Sequence, residues 1–383
     1  MLLRSLLSVE RVFRKSVAAI DAAGVKQVLI LEYQVPLGCC VHLTPVYEAL
    51  KRCRPEITIS VATYGLGVQL LRHSIYVDHV IETPTPTVDL KAAVLSLRAQ
   101  LKALHVEPDC VLTGASDQRT RIALLAVLGA GGWRGGFNLK SAALYQRPLE
   151  YDSGLSLIDN NLRLAGVIGC QANGFEPRVF FSQKNVDNAR VLLAGANPDG
   201  RPLIVMVMQG SGGQATGWHT SRFSEVIRHA SEKLGCAVVY AGTASDAAGI
   251  EEIREASGGI GTSIAGRTNV TELAAVLAMS DAMVTLDTGT MHVGRAMKTP
   301  MVVLGPSWQK PLEWLPLKVA NVRVLRGADR DFVPENYKLD EISAESVIGA
   351  LDDLLRVHRP SAEARRTRVE QSLSSIDHAA AKP

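Results

Sequence analysis

A carboxylate, two hydroxyls and a glycine directly follow an apolar run in the second half of the chain. The run ends at Leu286, and the residues behind it are Asp287, Thr288, Gly289, Thr290, Met291 and His292. The pattern predicts that a helix starts here and extends to Met297. A helix start presents unpaired N–H groups and about half a positive charge, so it suits a phosphate. Asp287 is suited to sugar hydroxyls beside that phosphate, unless Asp287 or Thr288 merely caps the helix.

A second glycine-rich turn, residues 208–219, follows another predicted strand and leads into a helix. It contains Ser211 and Gly212, but its spacing is neither that of a dinucleotide-binding fingerprint nor that of a P-loop. Two loops rich in Gly, Ser and Thr at one edge of a sheet predict a diphosphate held from both sides, as in a nucleotide-sugar. Asp246, just past a predicted strand, is placed where an acid could meet the ribose, or it begins a solvated helix.

The elements that position these residues alternate between strand and helix. In the first half, strand patterns occur at 26–33, 57–63, 77–83, 109–115 and 133–139, with helical patterns such as 40–53, 89–104 and 121–130 between them. The alternation restarts with strands at 201–212, 236–243, 262–266, 282–288 and 301–307 and a late helix at 342–358. Such alternation predicts parallel strands with crossover helices on both faces. We therefore predict an α/β protein with two Rossmann-like, doubly wound domains facing across a cleft, where ligands bind beyond the carboxyl ends of the strands.

The predicted domain organisation has four parts. They are an N-terminal amphipathic helix at 1–24, a first Rossmann-like domain at 25–185, a second at 186–358 and a flexible tail at 359–383. The first helix has an apolar stripe with basic residues beside it, which predicts docking on the first domain or contact with anionic lipid. The tail lacks a sustained apolar face, so it is expected to fray.

The composition is that of a soluble globular protein. The net charge of +3 gives no reason to expect a nucleic-acid partner, and the longest apolar stretches are too short to span a bilayer. The six cysteines show neither CxxC pairs nor zinc spacing, which predicts reduced thiols in a cytosol. No HExxH pairing occurs, and no metal site is predicted.

Several motifs of the second half are arranged as in a known family. The segment from Asp287 to His292 is followed by Thr299-Pro300 and by an apolar strand that ends in Gly305-Pro306. Residues 217–226 contain a tryptophan, Trp218, shortly before a phenylalanine at a helix entry. In these motifs the chain resembles glycosyltransferase family 9, the lipopolysaccharide heptosyltransferases. The likeness covers most of 202–316 and is weaker over 26–140.

The resemblance implies a GT-B fold and inverting transfer of a heptose-type sugar from an ADP-sugar to a saccharide or lipid-linked acceptor. It implies that the donor diphosphate rests on the backbone of Thr288 to Met291, that Ser211 and Gly212 cover it, and that Trp218, Asp246, Asp287 and His292 belong to the same donor site. It also implies no cofactor and no required metal. We expect a cytoplasmic enzyme, with peripheral contact at the inner face of the membrane as a further option.

Two departures from the family affect the chemistry. The family's general base is an aspartate directly after a glycine, and here the residue after Gly38 is Cys39. A thiol with an ordinary pKa of ~8.5 is a poor base for a sugar hydroxyl. His42 lies one helical turn further on, and an imidazole suits base work near neutral pH. In the donor loop, Thr216 stands where the family has a lysine two residues before the tryptophan.

The acceptor side is less defined by its residues. Arg121 opens a predicted helix where the family carries a basic residue facing anionic acceptor groups, and Arg119 and Lys140 could add to it. The alternative is that these residues are only solvated. Two alternatives to an active transferase also stay open: a nucleotide-sugar-binding homologue that has lost transfer, and another GT-B enzyme such as a nucleotide-sugar epimerase.

Overall fold

The computed structural model of the chain describes residues 22–34, 36–210, 217–308, 310–333 and 335–378. The chain divides into two compact units: Met1–Pro177 together with Ile376–Pro383, and Arg178–Ser375. The boundary near residue 177 precedes the predicted boundary at 185. Each unit contains one six-stranded sheet.

The sheet of the first unit is entirely parallel, with strand order β3-β2-β1-β4-β5-β6. Its strands are β1 (Gln27–Leu31), β2 (Thr58–Thr63), β3 (His79–Glu82), β4 (Cys110–Thr113), β5 (Trp133–Phe137) and β6 (Arg147–Leu149). Its helices are α1 (Leu37–Cys53), α2 (Leu66–Leu71), α3 (Leu90–Ala103), α4 (Thr120–Leu125), which continues as a π turn over Ala126–Ala130, and α5 (Leu157–Val167).

The sheet of the second unit repeats this design, with strand order β12-β11-β10-β7-β8-β9. Its strands are β7 (Leu203–Val207), β8 (Ala237–Tyr240), β9 (Thr262–Ser263), β10 (Ala282–Leu286), β11 (Met301–Leu304) and β12 (Val322–Leu325). Its helices are α6 (Gln183–Ala196), α7 (Thr220–Arg228), α8 (Ala247–Ala256), α9 (Val270–Ala278), α10 (Gly289–Ala296), α11 (Pro311–Trp314), α12 (Ala344–Val357) and α13 (Ala362–Ser372).

Both sheets confirm the prediction of two doubly wound α/β halves. In each, the chain runs outward from the first strand, returns to its other side, and so leaves a topological switch point between β1 and β4 and between β7 and β10. The central strands are buried on both faces, as their near-continuous apolar runs predict. The edge strands β6 and β12 were not predicted, because they are short and are only partly buried.

Helix α1 begins earlier than the sequence predicts and therefore contains Pro45 in its interior. Proline has no N–H to donate to the carbonyl four residues back, which is that of Val41. The hydroxyl of Thr44 donates to this carbonyl oxygen instead, at 2.8 Å. The Thr-Pro pair thus satisfies the acceptor that the proline would otherwise leave open.

The predicted flexible tail is largely a helix, whereas most of the predicted N-terminal helix stays untested. Of the predicted N-terminal helix at 1–24, residues 1–21 lie outside the described residues, and Ala22–Gly24 form a 3-10 turn. Where a flexible tail was expected from residue 359, the structure has helix α13. Arg365 on this helix pairs with the buried carboxylate of Asp281 at 2.6 Å, so charge pairing replaces the apolar face that the segment lacks. None of the helices in the described ranges is long and apolar enough to cross a membrane.

After α13 the chain returns to the first unit. The ring of His73 bonds the carbonyl oxygen of Ile376 at 2.6 Å, and Arg72 pairs with Asp377 at 2.9 Å. The backbone N–H of His378 donates to the carbonyl oxygen of Arg72 at 3.0 Å. These three contacts fix the last described residues beside the end of α2.

Two of the cysteines are paired, which corrects the expectation of reduced thiols throughout. Cys53 at the end of α1 forms a disulfide with Cys170, just beyond α5. The spacing of 117 residues gave no sign of this pair, since only the packing of α1 on α5 brings the two together. The other four cysteines are buried and form no disulfide.

The disulfide predicts that the first unit responds to reductant. A disulfide typically stabilises a fold by roughly 2–4 kcal/mol. Dithiothreitol should therefore lower the thermal unfolding midpoint of the parent protein but leave that of Cys53→Ser unchanged. Scanning calorimetry measures both. Six reactive thiols in the unreduced, denatured parent would contradict the pairing.

Candidate functional site

The carboxyl edge of the second sheet places the first predicted motif as expected. Strand β10 is fully buried and ends at Leu286, Thr288 is the N-cap of α10, and the helix begins at Gly289. The helix lies tightly on the sheet, because a side-chain carbon at Gly294 would come within 2.4 Å of Met283. The backbone N–H groups of the first turn therefore start at the edge of the sheet beside the switch point.

The hydroxyl of Thr288 does not cap this helix. Other helices open on a residue whose side chain accepts a backbone N–H, as the alternative interpretation of Thr288 required; these residues are Asp89, Ser156, Ser182, Asn269 and Ser343. Thr288 makes no such bond. Its Oγ1 is buried and has no hydrogen-bond partner in the described part of the chain. A buried hydroxyl without a partner costs free energy, which a ligand could recover.

Asp287 and His292 are both buried beside this helix start, 6% and 4% exposed. Burial raises the pKa of Asp287 to about 6. Burial, with a smaller effect of the Arg295 charge, lowers the pKa of His292 to about 3. Asp287 Oδ1 and His292 Nε2 are 4.0 Å apart, too far for a hydrogen bond. At neutral pH the site therefore holds a carboxylate and a neutral imidazole, whose ring also meets Trp314 edge-on at 6.5 Å.

Other predicted donor residues have different positions. Ser211, Gly212 and Thr216 lie outside the described residues. Asp246 Oδ2 accepts hydrogen bonds from the N–H and the hydroxyl of Thr243, both at 2.7 Å, which fits the alternative that it begins a helix. Thr290 is partly exposed on the first turn of α10, whereas the side chain of Met291 is fully buried.

Trp218 departs from its predicted role. Its indole packs edge-on against Phe223 and donates from Nε1 to the carbonyl oxygen of Ile342 at 2.9 Å. The side chain is only 5% exposed and belongs to the core of the second unit. The structure therefore gives the indole a packing role in the core, and its contact with a donor stays a prediction.

The first unit holds the predicted catalytic residues in the first two turns of α1. Cys39 and His42 are 4% and 1% exposed. Asn161 on α5 fixes this part of the helix, because it donates to the carbonyl oxygen of His42 at 3.2 Å and accepts from the N–H of Ala115 at 2.8 Å. One fully buried amide thus joins α1, α5 and the loop after β4. The sequence gave no signal for this role beyond an asparagine in an apolar helix.

The two predicted acceptor arginines lie at the same carboxyl edge but make different contacts. Arg119 pairs with the buried carboxylate of Asp117 at 2.7 Å and donates to the carbonyl oxygen of Tyr33 at 3.0 Å. Arg121 is exposed and donates to the carbonyl oxygen of Thr87 at 2.5 Å. Arg119 is therefore part of the structure around the switch point, and Arg121 lies on its rim.

Glu32 is a residue at this edge that the sequence analysis missed. It directly follows β1, is 5% exposed, and accepts a hydrogen bond from the hydroxyl of Tyr47 at 2.7 Å. Burial raises the pKa of Glu32 to about 7. An acid at the end of a buried strand was the available signal, in the run Leu29 to Glu32. In the described ranges no group of three or more His, Cys, Asp or Glu side chains could hold a metal ion.

The bridging amide of Asn161 leads to a stability prediction. Asn161→Leu leaves the buried N–H of Ala115 without its partner and removes one of the hydrogen bonds to the carbonyl oxygen of His42, which should destabilise the first unit by roughly 1–3 kcal/mol. Asn188→Leu on the exposed face of α6 is the control, since it removes only a surface bond to Glu272. Chemical denaturation would measure both, and equal costs would contradict the bridging role.

Known proteins resemble this chain both in sequence and in fold. The sequence model of glycosyltransferase family 9 (heptosyltransferase) matches residues 101–336. No curated protein matches the sequence. Among solved structures, a family 9 glycosyl transferase from Veillonella parvula has a TM-score of 0.77 at 20% identity, covering 88% of this chain and 99% of that one.

Two structures from E. coli also share the fold. The ADP-heptose lps heptosyltransferase II has a TM-score of 0.70 at 20% identity over 87% of this chain and 99% of its own. The heptosyltransferase WaaC, solved with ADP-2-deoxy-2-fluoro heptose, has a TM-score of 0.65 at 17% identity over 85% and 99%. At these identities the likeness establishes the fold. Because the family match spans well over half of the sequence, the chain belongs to glycosyltransferase family 9, the heptosyltransferase family.

Proposed function

We propose that the protein transfers a heptose-type sugar, with inversion, from an ADP-sugar to a saccharide or lipid-linked acceptor. The observation that supports this best is the start of α10. There the hydroxyl of Thr288, which has no hydrogen-bond partner in the described residues, and the buried carboxylate of Asp287 lie beside the first turn of the helix at the switch point of the second sheet.

The charges of this site suit the two ends of a nucleotide-sugar differently. The positive end of the helix and its N–H groups favour the diphosphate. The Asp287 carboxylate repels phosphate but accepts hydrogen bonds from sugar hydroxyls. His292 is neutral because burial lowers its pKa, so it contributes hydrogen bonding rather than charge. We assign to Ser211 and Gly212, in the second glycine-rich loop, the role of covering the diphosphate from the other side.

The reaction also needs a group that takes the proton of the acceptor hydroxyl. We assign this role to His42, since Cys39 at the family's base position is a thiol. Arg119 and Arg121 are the proposed contacts for an anionic acceptor. The replacement of the base by Cys39 is the observation that favours a second candidate, a nucleotide-sugar-binding homologue without transfer. The family match favours a transferase over an epimerase.

A donor screen tests the proposal. Purified protein is incubated with ADP-, UDP- and GDP-sugars in the presence of EDTA, and both binding and nucleotide release are followed with saccharide and lipid-linked acceptors. Selective binding of an ADP-sugar with ADP release supports the proposal. Tight donor binding without release for any acceptor supports the binding homologue, and no binding of any nucleotide-sugar rejects both.

Asp287→Ala should weaken donor binding by roughly 1.5–3 kcal/mol, or ~10–150-fold, since hydrogen bonds to a charged group are lost. Asp352→Ala is the matched control, because that carboxylate on α12 pairs with His229, just after α7, at 2.8 Å. Titration calorimetry would measure both affinities. Unchanged affinity in Asp287→Ala for every nucleotide-sugar that binds the parent would contradict the assignment.

His42→Ala should lose most of the transfer rate, ~10²–10⁴-fold, while donor affinity stays the same. Cys39→Ser should lose little, and Cys39→Asp should hold or raise the rate because it restores the family's base. Steady-state kinetics with calorimetry for the donor separates these effects. A His42→Ala variant with the parent's rate would rule out the imidazole as the base.

A further inference from the structure

A buried carboxyl group without an ionic partner lies at the switch point of the first sheet. Glu32 continues β1, and its N–H donates to the carbonyl oxygen of Ala62 at the end of β2. Oε2 of Glu32 accepts from Tyr47, whereas Oε1 is buried and has no hydrogen-bond partner in the described ranges. This acid is therefore held at one oxygen only.

The groups that face Glu32 come from two elements. Tyr47 on α1 donates to the carboxyl group and lowers its pKa, the neighbouring Cys40 thiol, which donates to the carbonyl oxygen of Gln34, lowers it further, and Asp117 from the loop after β4 raises it. Asp117 is itself neutralised by Arg119. Burial outweighs all of these effects, so the pKa of Glu32 lies near 7. No cation of the described chain shifts it.

Ionisation of Glu32 therefore changes what holds α1 against β1. In the neutral state the carboxyl group needs little solvation, and its bond with Tyr47 ties the helix to the strand. In the charged state a buried carboxylate with one uncompensated oxygen faces Asp117, which is unfavourable. Admitting water would relieve this cost, and α1, which packs on Glu32 through Tyr47, is the element whose displacement would admit it.

We propose that Glu32 is a positioning residue for the transfer reaction, which holds the first two turns of α1, and with them Cys39 and His42, in place only while it is protonated. The proposal rests on the proposed transfer and adds a pH dependence to it. Activity should decline on the alkaline side as Glu32 ionises. Glu32 itself does not contact the substrates.

The raised pKa of Glu32 determines how the stability of the fold depends on pH. The folded pKa of Glu32 is raised above the unfolded value, so its stabilising contribution is fully present below about 4.5 and is lost as pH rises through about 7. Across this window the folding equilibrium constant should fall on the order of 100-fold relative to a variant that cannot ionise.

The first arm of the test does not depend on activity. Glu32→Gln has a side chain that stays neutral at every pH. The difference between its thermal unfolding midpoint and that of the parent should therefore increase from pH 5 to pH 8. Glu48→Gln is the matched control, since Glu48 is equally buried on α1 but pairs with Arg52 at 2.7 Å. Backbone hydrogen exchange of residues 37–44 is compared between the parent and Glu32→Gln at the same pH. The rate in the parent should exceed that in the variant, and the difference should grow as pH rises.

The second arm uses the pH profile of kcat/KM. Glu32→Gln should keep the parent's rate near pH 6 and lack the alkaline decline. Tyr47→Phe removes a hydrogen bond that lowers the pKa of Glu32, so its decline should move to higher pH. A residue with a purely architectural role would lower the rate at every pH without moving the profile.

The outcomes separate the two proposals. No turnover with any donor would reject the proposed function, while the stability and exchange arm would still test the linkage at Glu32. Turnover with an unchanged alkaline decline in Glu32→Gln, or a midpoint difference that does not vary with pH, would overturn the role of Glu32.

Discussion

Parallel pairing around one central strand in each unit is the constraint on which the other features depend. Because β1 pairs with both β2 and β4, and β7 with both β8 and β10, the connections leave the central strand in opposite directions at its carboxyl end. The backbone cannot fill the gap between them. Side chains line it instead: Glu32 and Asp117 in one unit, and Asp287 and Thr288 in the other.

Both gaps contain a carboxyl group whose pKa is raised by burial, but with different consequences. Asp287, with a pKa near 6, remains an acceptor at neutral pH and suits hydroxyl groups. Glu32, with a pKa near 7, is balanced between its two states. The same physical cause thus underlies the binding role that we propose for Asp287 and the proton-linked support that we propose for Glu32.

The sequence predicted the elements because strand and helix periodicities are local properties. It predicted the loop from Asp287 to His292 for the same reason, since the motif is contiguous. It could not predict contacts that join distant segments. Examples are the hydrogen bond between Ala115 and Asn161, the Cys53–Cys170 disulfide and the ion pair of Arg365 with Asp281. It also gave no sign that Trp218, next to a loop motif, packs into the core of the second unit, because that packing depends on distant segments.

The return of the chain to the first unit after α13 has a consequence for biosynthesis. The contacts of Ile376, Asp377 and His378 with Arg72 and His73 cannot form until the whole second unit has been made. At ordinary translation rates this delay is roughly 10–40 s, during which the nascent first unit lacks its final segment. The second unit is in effect an insertion into the first, so the order of emergence from the ribosome differs from the order of completion.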